Sequence, residues 1–382
     1  MRKLTFIFIF VAVFCLCSDS VSAISARSYI VTERTTGKVL YEGNAHTRLP
    51  MASTTKIMTA LCAIEKGNLD STVEISDKAV GVEGSSMYLE KGERITLRNL
   101  LYGLMLNSGN DAAVAVAIHI SGDVEKFVEC MNQTAQKIGA KDTNFTNPNG
   151  LPNDNHYTTA YDLNLITRYA LGYDEFRKIV STYEKTIPWS TREYDRTLKN
   201  HNKLLKMYEG ATGVKTGFTK KAGRCLVSSA MRDGIEVVCV TLNAPDDWND
   251  HMSLMDKSFQ RTERKKIFSK GDYIATVSVK DSEEKSLGLL AKNDIYAVAI
   301  DGKMPVLNIQ TEILSSVSAP VGFEDVLGKL TVYEGDNIVG DTDLVTDRIA
   351  PKIIPPDIWE NTYRVLRSFI LQQDKICIDN KD

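Results

Sequence analysis

The chain has no surplus of positive charge: 46 Lys and Arg against 49 Asp and Glu leave a formal net charge of -3 over 382 residues, with a pI near 6.1. No basic surface is therefore on offer to a phosphate backbone, and nucleic acid is excluded as a partner. Metal chemistry is just as poorly supplied. Of the seven cysteines, Cys15 and Cys17 sit in an N-terminal apolar run. The other five, Cys62, Cys130, Cys225, Cys239 and Cys377, are odd in number and show no metal-ligand spacing. They predict neither a disulfide framework nor a metal or cofactor site. In the helix- and strand-like runs that hold Cys62, Cys225 and Cys239, a free thiol acts as a small hydrophobe. Histidine is scarce, at five residues, and His156 and His201 fall in loops with no partner evident, which predicts surface positions. What remains is ordinary globular material: 43% hydrophobic and 25% charged residues exclude disorder and leave room for two domains.

Two ends stand apart from the body of the chain. Arg2 and Lys3, the apolar run Leu4 to Leu16 and the small-residue exit Val21-Ser22-Ala23 have the order of a secretory signal, so residues 1–23 are expected to be removed and the mature chain to begin near Ile24. At the other end, past Pro351, Pro355 and Pro356, Ile358 to Leu371 predicts an amphipathic helix. Ile358, Trp359, Tyr363, Val365, Leu366, Phe369 and Ile370 share one face opposite Glu360, Arg364, Arg367 and Ser368. It is too short and too charged to span a bilayer but has the make-up of an interfacial helix. Packing on its own domain would require the same pattern.

The stretch around which the rest is arranged is Pro50 to Leu61. Ser53 and Lys56 stand three residues apart where an apolar helix begins, so their side chains share a face. A serine hydroxyl needs a base. A lysine held among Met51, Ile57 and Met58 loses charge to desolvation and can then serve as one. The same spelling recurs at Ser282-Glu283-Glu284-Lys285, but in a polar run without an apolar helix, which predicts a solvated loop.

Along the chain, Ser28 to Glu33 and Lys38 to Glu42 predict a hairpin, and Ile95 to Leu106 an apolar helix. Asn107-Ser108-Gly109-Asn110 follows, with Asp111 expected to cap the nearly all-apolar helix Ala112 to Ile120. A polar link between two buried helices is costly unless its groups are used, which makes Ser108 and Asn110 candidate site residues. A plain turn with Gly109 as C-cap is the alternative. Lys215-Thr216-Gly217, within a glycine-rich strand, offers an ammonium, a hydroxyl and a close backbone approach suited to a carboxylate. Cys225 to Met231 and Ile235 to Leu242 predict a hairpin through Arg232-Asp233-Gly234. Trp248 to Phe268 predicts a long closing helix with Met252, Met255 and Phe259 inward. From Lys270 to about Thr346, short alternating runs between turns predict a small all-β domain.

Taken together, Ser53-Thr54-Thr55-Lys56, Ser108-Gly109-Asn110 and Lys215-Thr216-Gly217 resemble the three signature motifs of penicillin-recognising serine enzymes. Within that superfamily the chain resembles the D-alanyl-D-alanine carboxypeptidases of the low-molecular-mass penicillin-binding type. The resemblance implies an α/β catalytic domain over 24–268, with an antiparallel sheet flanked by helices as in β-lactamase-like transpeptidases. A β-rich domain over 269–346 and a linker with membrane-anchor helix over 347–382 would follow. It implies Ser53 as nucleophile, Lys56 as base and Ser108 as proton relay. Asn110 would hold a peptidoglycan stem peptide ending in D-Ala-D-Ala, and Lys215 and Thr216 its terminal carboxylate. Gly217 would allow close approach, and the backbone amides of Ser53 and Phe218 would form an oxyanion hole. β-Lactams would be inhibitors, no cofactor is implied, and the location would be the outer face of the cytoplasmic membrane. Phe218 is an apolar side chain where a polar one could assist. A β-lactamase would need a deacylating glutamate, which the stretch Tyr161-Asp162-Leu163-Asn164 does not offer. A silent wall-binding scaffold would need neither Lys56 nor Ser108.

Overall fold

The computed structural model describes residues 24–354 and 360–369. The leader, Cys377 and both ends of the terminal-helix segment lie outside the described residues. The chain enters through the expected hairpin, β1 (Ser28–Glu33) and β2 (Val39–Gly43), and then a single 3-10 turn, Ala52–Thr55, which leads into α1 (Lys56–Lys66). Next come β3 (Thr72–Glu74) and β4 (Arg94–Thr96), which pair with each other, and then α2 (Leu97–Leu106), α3 (Asn110–Ser121), α4 (Val124–Ile138), α5 (Ala160–Ala170) and α6 (Asp174–Ser181). The helix expected from Ile95 starts two residues later because Thr96 is its cap, accepting from the Asn99 amide. A small hairpin, β5 (Glu184–Ile187) with β6 (Arg196–Lys199), and the short α7 (Leu204–Met207) precede β7 (Ala211–Thr219), β8 (Gly223–Arg232), β9 (Ile235–Leu242) and α8 (Asp247–Arg261).

Five of these strands form one antiparallel sheet in the order β2-β1-β9-β8-β7. Side chains alternate across a strand, and here both faces are covered. Ile30, Cys225, Val227, Val238 and Val240 face the core shared with α1 to α6. Val31, Leu226, Val237 and Cys239 face the core under α8. This explains why β9 is buried at every position. Helix α1 lies inside the larger core, buried from Lys56 through Ala63, so its apolar residues run nearly all round it rather than along one stripe.

The closing helix is shorter than expected. It ends at Arg261, and the next strand, β10 (Thr262–Phe268), pairs with β13 (Ile295–Ile300). Residues 262–266 are rich in charge and fit either state; strand pairing and the Arg264 guanidinium stacked 3.6 Å from the Tyr296 ring decide it. Beyond lie β11 (Tyr273–Lys280), β12 (Ser286–Ala291), β14 (Asn308–Ile313), β15 (Ser316–Ser318), β16 (Val326–Glu334) and β17 (Asn337–Thr346). They make a six-stranded sheet in the order β14-β16-β17-β12-β11-β15, around a separate core that includes Val277, Leu289, Leu330 and Leu344. This is the expected all-β unit. Residues 360–369 are helical and exposed throughout.

Candidate active site

Lys56 is fully buried at the start of α1, and its Nζ touches three oxygens: Ser53 Oγ at 2.9 Å, Asn110 Oδ1 at 2.7 Å and the Asn149 carbonyl at 2.6 Å. Two of those contacts have a fixed polarity. The Asn149 carbonyl can only accept. Asn110 must present its oxygen, because its Nδ2 donates to the Glu83 carbonyl at 2.5 Å. A neutral amine therefore spends both N–H bonds on Asn110 and Asn149, and its lone pair is left for the Ser53 hydroxyl. Burial pushes the Lys56 pKa well below the ordinary lysine value, and the nearby Lys215 adds to the fall, with Asp111 opposing it. The Ser53 hydroxyl and the Lys56 amine are thus in contact, and burial favours the uncharged form of the amine.

The turn that carries Ser53 is braced from the loop between α4 and α5. Ala52 has φ of 48°, an unusual conformation for a residue with a Cβ. Gly150, at φ 88°, packs so closely on it that a Cβ there would stand 2.0 Å from the Ala52 carbonyl oxygen; only glycine fits. His156 is part of the same brace and is not a surface residue: it is buried. Its Nδ1 accepts from the Thr146 amide at 3.0 Å, which leaves the proton on Nε2, and Nε2 donates to Thr55 Oγ1 at 2.8 Å. Thr55 Oγ1 in turn donates to the Ala52 carbonyl at 2.8 Å. Burial first, and then the neighbouring Lys56 as it takes up a proton, lowers the His156 pKa to about 4, so the ring is neutral at physiological pH.

Ser108 lies between α2 and α3 and Asn110 opens α3, both buried. Gly109 has φ of -57°, so it is no left-handed C-cap; the positive φ, 59°, belongs to Ser108. Asp111 does not cap α3 as expected, because the helix already starts at Asn110. Its buried carboxylate accepts from the Ala112 amide beside it and also from the amides of Met87 and Leu89 and from the Ser86 hydroxyl, fixing the loop that runs past Glu83 and Ser85. Asp111, Asn149 and His156 are parts of the site that the sequence reading missed. Only the Gly-Leu-Pro turn after Asn149 and the dense Asn and Gly around it gave a hint of a constrained loop.

The third motif lies on β7, the edge strand beside the Ser53 turn. A Cβ at Gly217 would come 3.0 Å from the Ser53 amide nitrogen, so the strand edge and that turn touch there. Two lobes of a cleft meet at Ser53, Ser85 and Phe218. One, of about 360 Å³, is lined by Ser108, Thr216, Gly217, His201, Lys203 and Arg224. The other, of about 500 Å³, is lined by Asn110, Asn149, Leu151, Lys220 and Lys221. His201 is exposed, as expected, and lines the cleft, where partial desolvation and then Lys215 lower its pKa. Lys215 is buried behind the first lobe; its Nζ donates to the Thr216 carbonyl at 3.0 Å, and burial lowers its pKa to about 7. The Phe218 side chain is exposed at the rim. All eight candidate residues are thus brought to one cleft or directly behind its wall. Among the described residues no cluster of His, Cys, Asp and Glu could hold a metal ion.

Comparison with known proteins agrees with this geometry. A family model described as D-alanyl-D-alanine carboxypeptidase (Peptidase_S11) matches residues 17–246. The chain belongs to that family. A second model, the C-terminal domain of penicillin-binding protein 5, matches residues 263–352 and so takes in β10. The chain is similar to the D-alanyl-D-alanine carboxypeptidase DacF of Bacillus subtilis (strain 168), 35% identical over 326 residues, covering 83% of this chain and 84% of DacF. DacD of Escherichia coli (strain K12) is 30% identical, over 85% of this chain and 86% of DacD. Among solved structures, the peptidoglycan synthesis regulatory factor (PBP3) of Streptococcus pneumoniae superposes with a TM-score of 0.69 at 28% identity, covering 86% of this chain and 99% of that one. The carboxypeptidase family accounts for both the helix-flanked sheet and the β-rich domain behind it.

Proposed function

We propose that the chain is a serine-type D-Ala-D-Ala carboxypeptidase that removes the terminal D-alanine of peptidoglycan stem pentapeptides. The observation that carries this reading is the Ser53–Lys56–Asn110 contact, which pairs a hydroxyl with a desolvated amine. The neutral Lys56 amine takes the proton of Ser53 as Oγ attacks the carbonyl carbon of the penultimate D-alanine. The oxyanion that forms points at the backbone amides of Ser53 and Phe218, and its negative charge is held there without reorganisation. Ser108 relays the proton to the departing D-alanine nitrogen, the C–N bond breaks, and an ester to Ser53 remains. Water then attacks the ester carbonyl, giving up a proton to Lys56; the bond from the acyl carbon to Ser53 Oγ breaks, Lys56 returns the proton to Oγ, and the tetrapeptide leaves with its new carboxylate.

The free end of the substrate lies in the smaller lobe. Thr216 meets its carboxylate, and Lys215 supplies positive charge from behind the wall. Asn110 orients both Lys56 and the peptide backbone, and Gly217 lets the peptide run close along the strand edge. This need for a terminal carboxylate favours removal of a last residue over cleavage within a chain. β-Lactams acylate the same Ser53 and block it. Mass spectrometry of benzylpenicillin-treated protein is expected to locate one adduct on Ser53, alongside D-alanine release from pentapeptide by untreated protein. An adduct elsewhere sinks the nucleophile assignment, and rapid catalytic turnover of benzylpenicillin favours a β-lactamase instead.

The location proposed is outside the cytoplasmic membrane, at its surface: residues 1–23 form the leader, 24–268 the catalytic unit, 269–346 the β-rich unit and 347–382 a linker with anchor helix. Support comes from the helical and exposed stretch 360–369, where Tyr363, Val365, Leu366 and Phe369 are open to solvent beside Arg364 and Arg367. No helix among the described residues is long and apolar enough to cross a membrane. Truncation before Pro351 should release the protein from membranes with its activity kept; a truncated form that still pellets with them removes the anchor.

A further inference from the structure

The two lobes of the cleft are not equally used by the chemistry at Ser53. With the free end of the peptide at Thr216 and the scissile carbonyl at Ser53, the rest of the substrate leaves through the larger lobe, of about 500 Å³. The first side chain to enter it belongs to the residue before D-Ala-D-Ala, which in a stem peptide is a diamino acid. Three chain segments line that lobe, and each is pinned. Asn110 holds the loop that carries Glu83: its Nδ2 donates to the Glu83 carbonyl at 2.5 Å and its amide to the Ser85 carbonyl at 2.7 Å. In the loop between α4 and α5, Asn147 Oδ1 accepts from the Gly150 amide at 2.7 Å, and Asn147 Nδ2 donates to the Leu151 carbonyl at 3.0 Å. The turn between β7 and β8 is closed by Thr219 Oγ1, which accepts from the Ala222 amide at 3.0 Å, and is tied down by the ion pair of Lys221 with Asp154.

Two of these segments each bring to the lobe a charge that the fold does not use. Glu83 and Lys220 both line it and are exposed, and neither side chain is in an ion pair or hydrogen bond among the described residues. They are not paired with each other. The third segment contributes apolar surface through Leu151, half-buried, and Pro152. The lobe thus offers one anion, one cation and an apolar stretch, all on fixed backbone.

We propose that the larger lobe selects stem peptides whose diamino acid side chain ends in both an ammonium and a carboxylate, as diaminopimelate does, over those ending in an ammonium alone, as lysine does. Lys220 takes the side-chain carboxylate, Glu83 takes the side-chain ammonium, and the methylene stem lies on Leu151 and Pro152. A lysine side chain satisfies Glu83 but leaves Lys220 in water, so the two substrates differ by one ion pair. Because both charges are exposed, that pair is worth no more than about fivefold in kcat/KM. Its effect falls on KM, since the contact lies away from the reacting atoms and is the same before and during acylation.

This subsite rests on the carboxypeptidase reading, and the test separates the two. D-alanine release by the mature full-length protein is measured on two pentapeptides that differ only in diaminopimelate or lysine at the third residue. The diaminopimelate peptide should be preferred by about fivefold, and the preference should shrink as salt is raised. Amidating its side-chain carboxylate should bring it to the lysine level. Lys220→Met should reduce the ratio to about one, and Lys220→Glu should reverse it. Glu83→Gln should lower kcat/KM on both peptides together by about threefold, with the ratio kept. Equal rates on the two peptides in the wild type, or a ratio that survives Lys220→Met, overturns the subsite alone. Replacing the second-residue D-glutamate by its amide, isoglutamine, should change the rate by less than twofold; a fall there that disappears in Lys220→Met assigns Lys220 to that other carboxylate and overturns the diamino acid selection. Release of D-alanine from neither peptide overturns the carboxypeptidase reading, and the subsite with it.

Discussion

The chain spells Ser-x-x-Lys twice, and the two copies end in different chemistry. At Ser53–Lys56 the lysine is buried, its amine is held by three oxygens, and burial lowers its pKa. At Ser282–Lys285 the spelling falls in the turn between β11 and β12, where Lys285 is exposed and its Nζ reaches only the Ser282 carbonyl, at 2.7 Å. The Ser282 hydroxyl accepts from the Glu284 amide at 3.2 Å and is out of solvent. It is a turn-closing group rather than a nucleophile. The difference teaches that spacing is only a permission. What makes a base of a lysine is the removal of water and the fixed direction of its remaining partners.

The comparison breaks most visibly at the serines. Ser53→Ala should lower D-alanine release by ~10⁴-fold or more and abolish the penicillin adduct, whereas Ser282→Ala should leave both within about twofold; kcat/KM on a pentapeptide and adduct mass read this. The lysines come next. Arginine cannot give up its proton, so Lys56→Arg should cost ~10³-fold in acylation rate while Lys285→Arg costs nothing, measured with a fluorescent penicillin. A Lys285→Arg loss would show that the second copy matters.

The pH dependence sharpens the contrast between buried and exposed lysines. The acid limb of kcat/KM should follow loss of the Lys56 proton, whose pKa burial lowers, so that activity rises with pH along that limb. The basic limb should follow loss of the Lys215 proton from a group at about 7, so that activity falls above neutrality as the lobe loses its charge. Raising ionic strength should move neither limb much, since both amines are shielded. The smallest effect concerns the brace. His156 has a folded-state pKa of about 4 against 6.5 in the unfolded chain. Between those values the unfolded chain binds the extra proton, so stability falls as the pH is lowered through that window. His156→Asn should flatten this part of a melting-temperature profile relative to wild type and lower acylation by about tenfold through a looser Ser53 turn. His251, lowered by burial to about 3, contributes in the same direction in both proteins.

Much of the site was legible because its active groups are side chains at short, fixed spacings: an alcohol and an amine one helical turn apart, a polar link between two apolar helices, and a cation with a glycine on a strand. The β1–β2 and β8–β9 hairpins were legible from turn residues and period-two alternation. The remainder depends on distant chain. Asn149 reaches Lys56 across 93 residues through a backbone carbonyl, which any residue type possesses, so its identity carries no signal. His156 meets Thr55 across 101 residues, and a loop histidine with no local partner looks the same whether it ends on the surface or in a brace. Asp111 was legible as a helix-start residue, and its carboxylate does accept from the Ala112 amide, but its further bonds to amides of a loop more than twenty residues earlier were not legible. Strand β10 was lost to a helix because its charges fit both periods, and only β13 decides between them.

The central claim is that Lys56 is uncharged in the resting enzyme at neutral pH, and its side-chain carbon resonance reports that charge directly. A ¹³C titration of lysine-labelled protein, with the Lys56 signal assigned by its loss in Lys56→Arg, should show a neutral amine at pH 8 that takes up a proton only as the pH is lowered. Lys285 should remain an ammonium throughout that range. A Lys56 signal that still reports full charge at pH 8, in protein that acylates normally, would contradict the account.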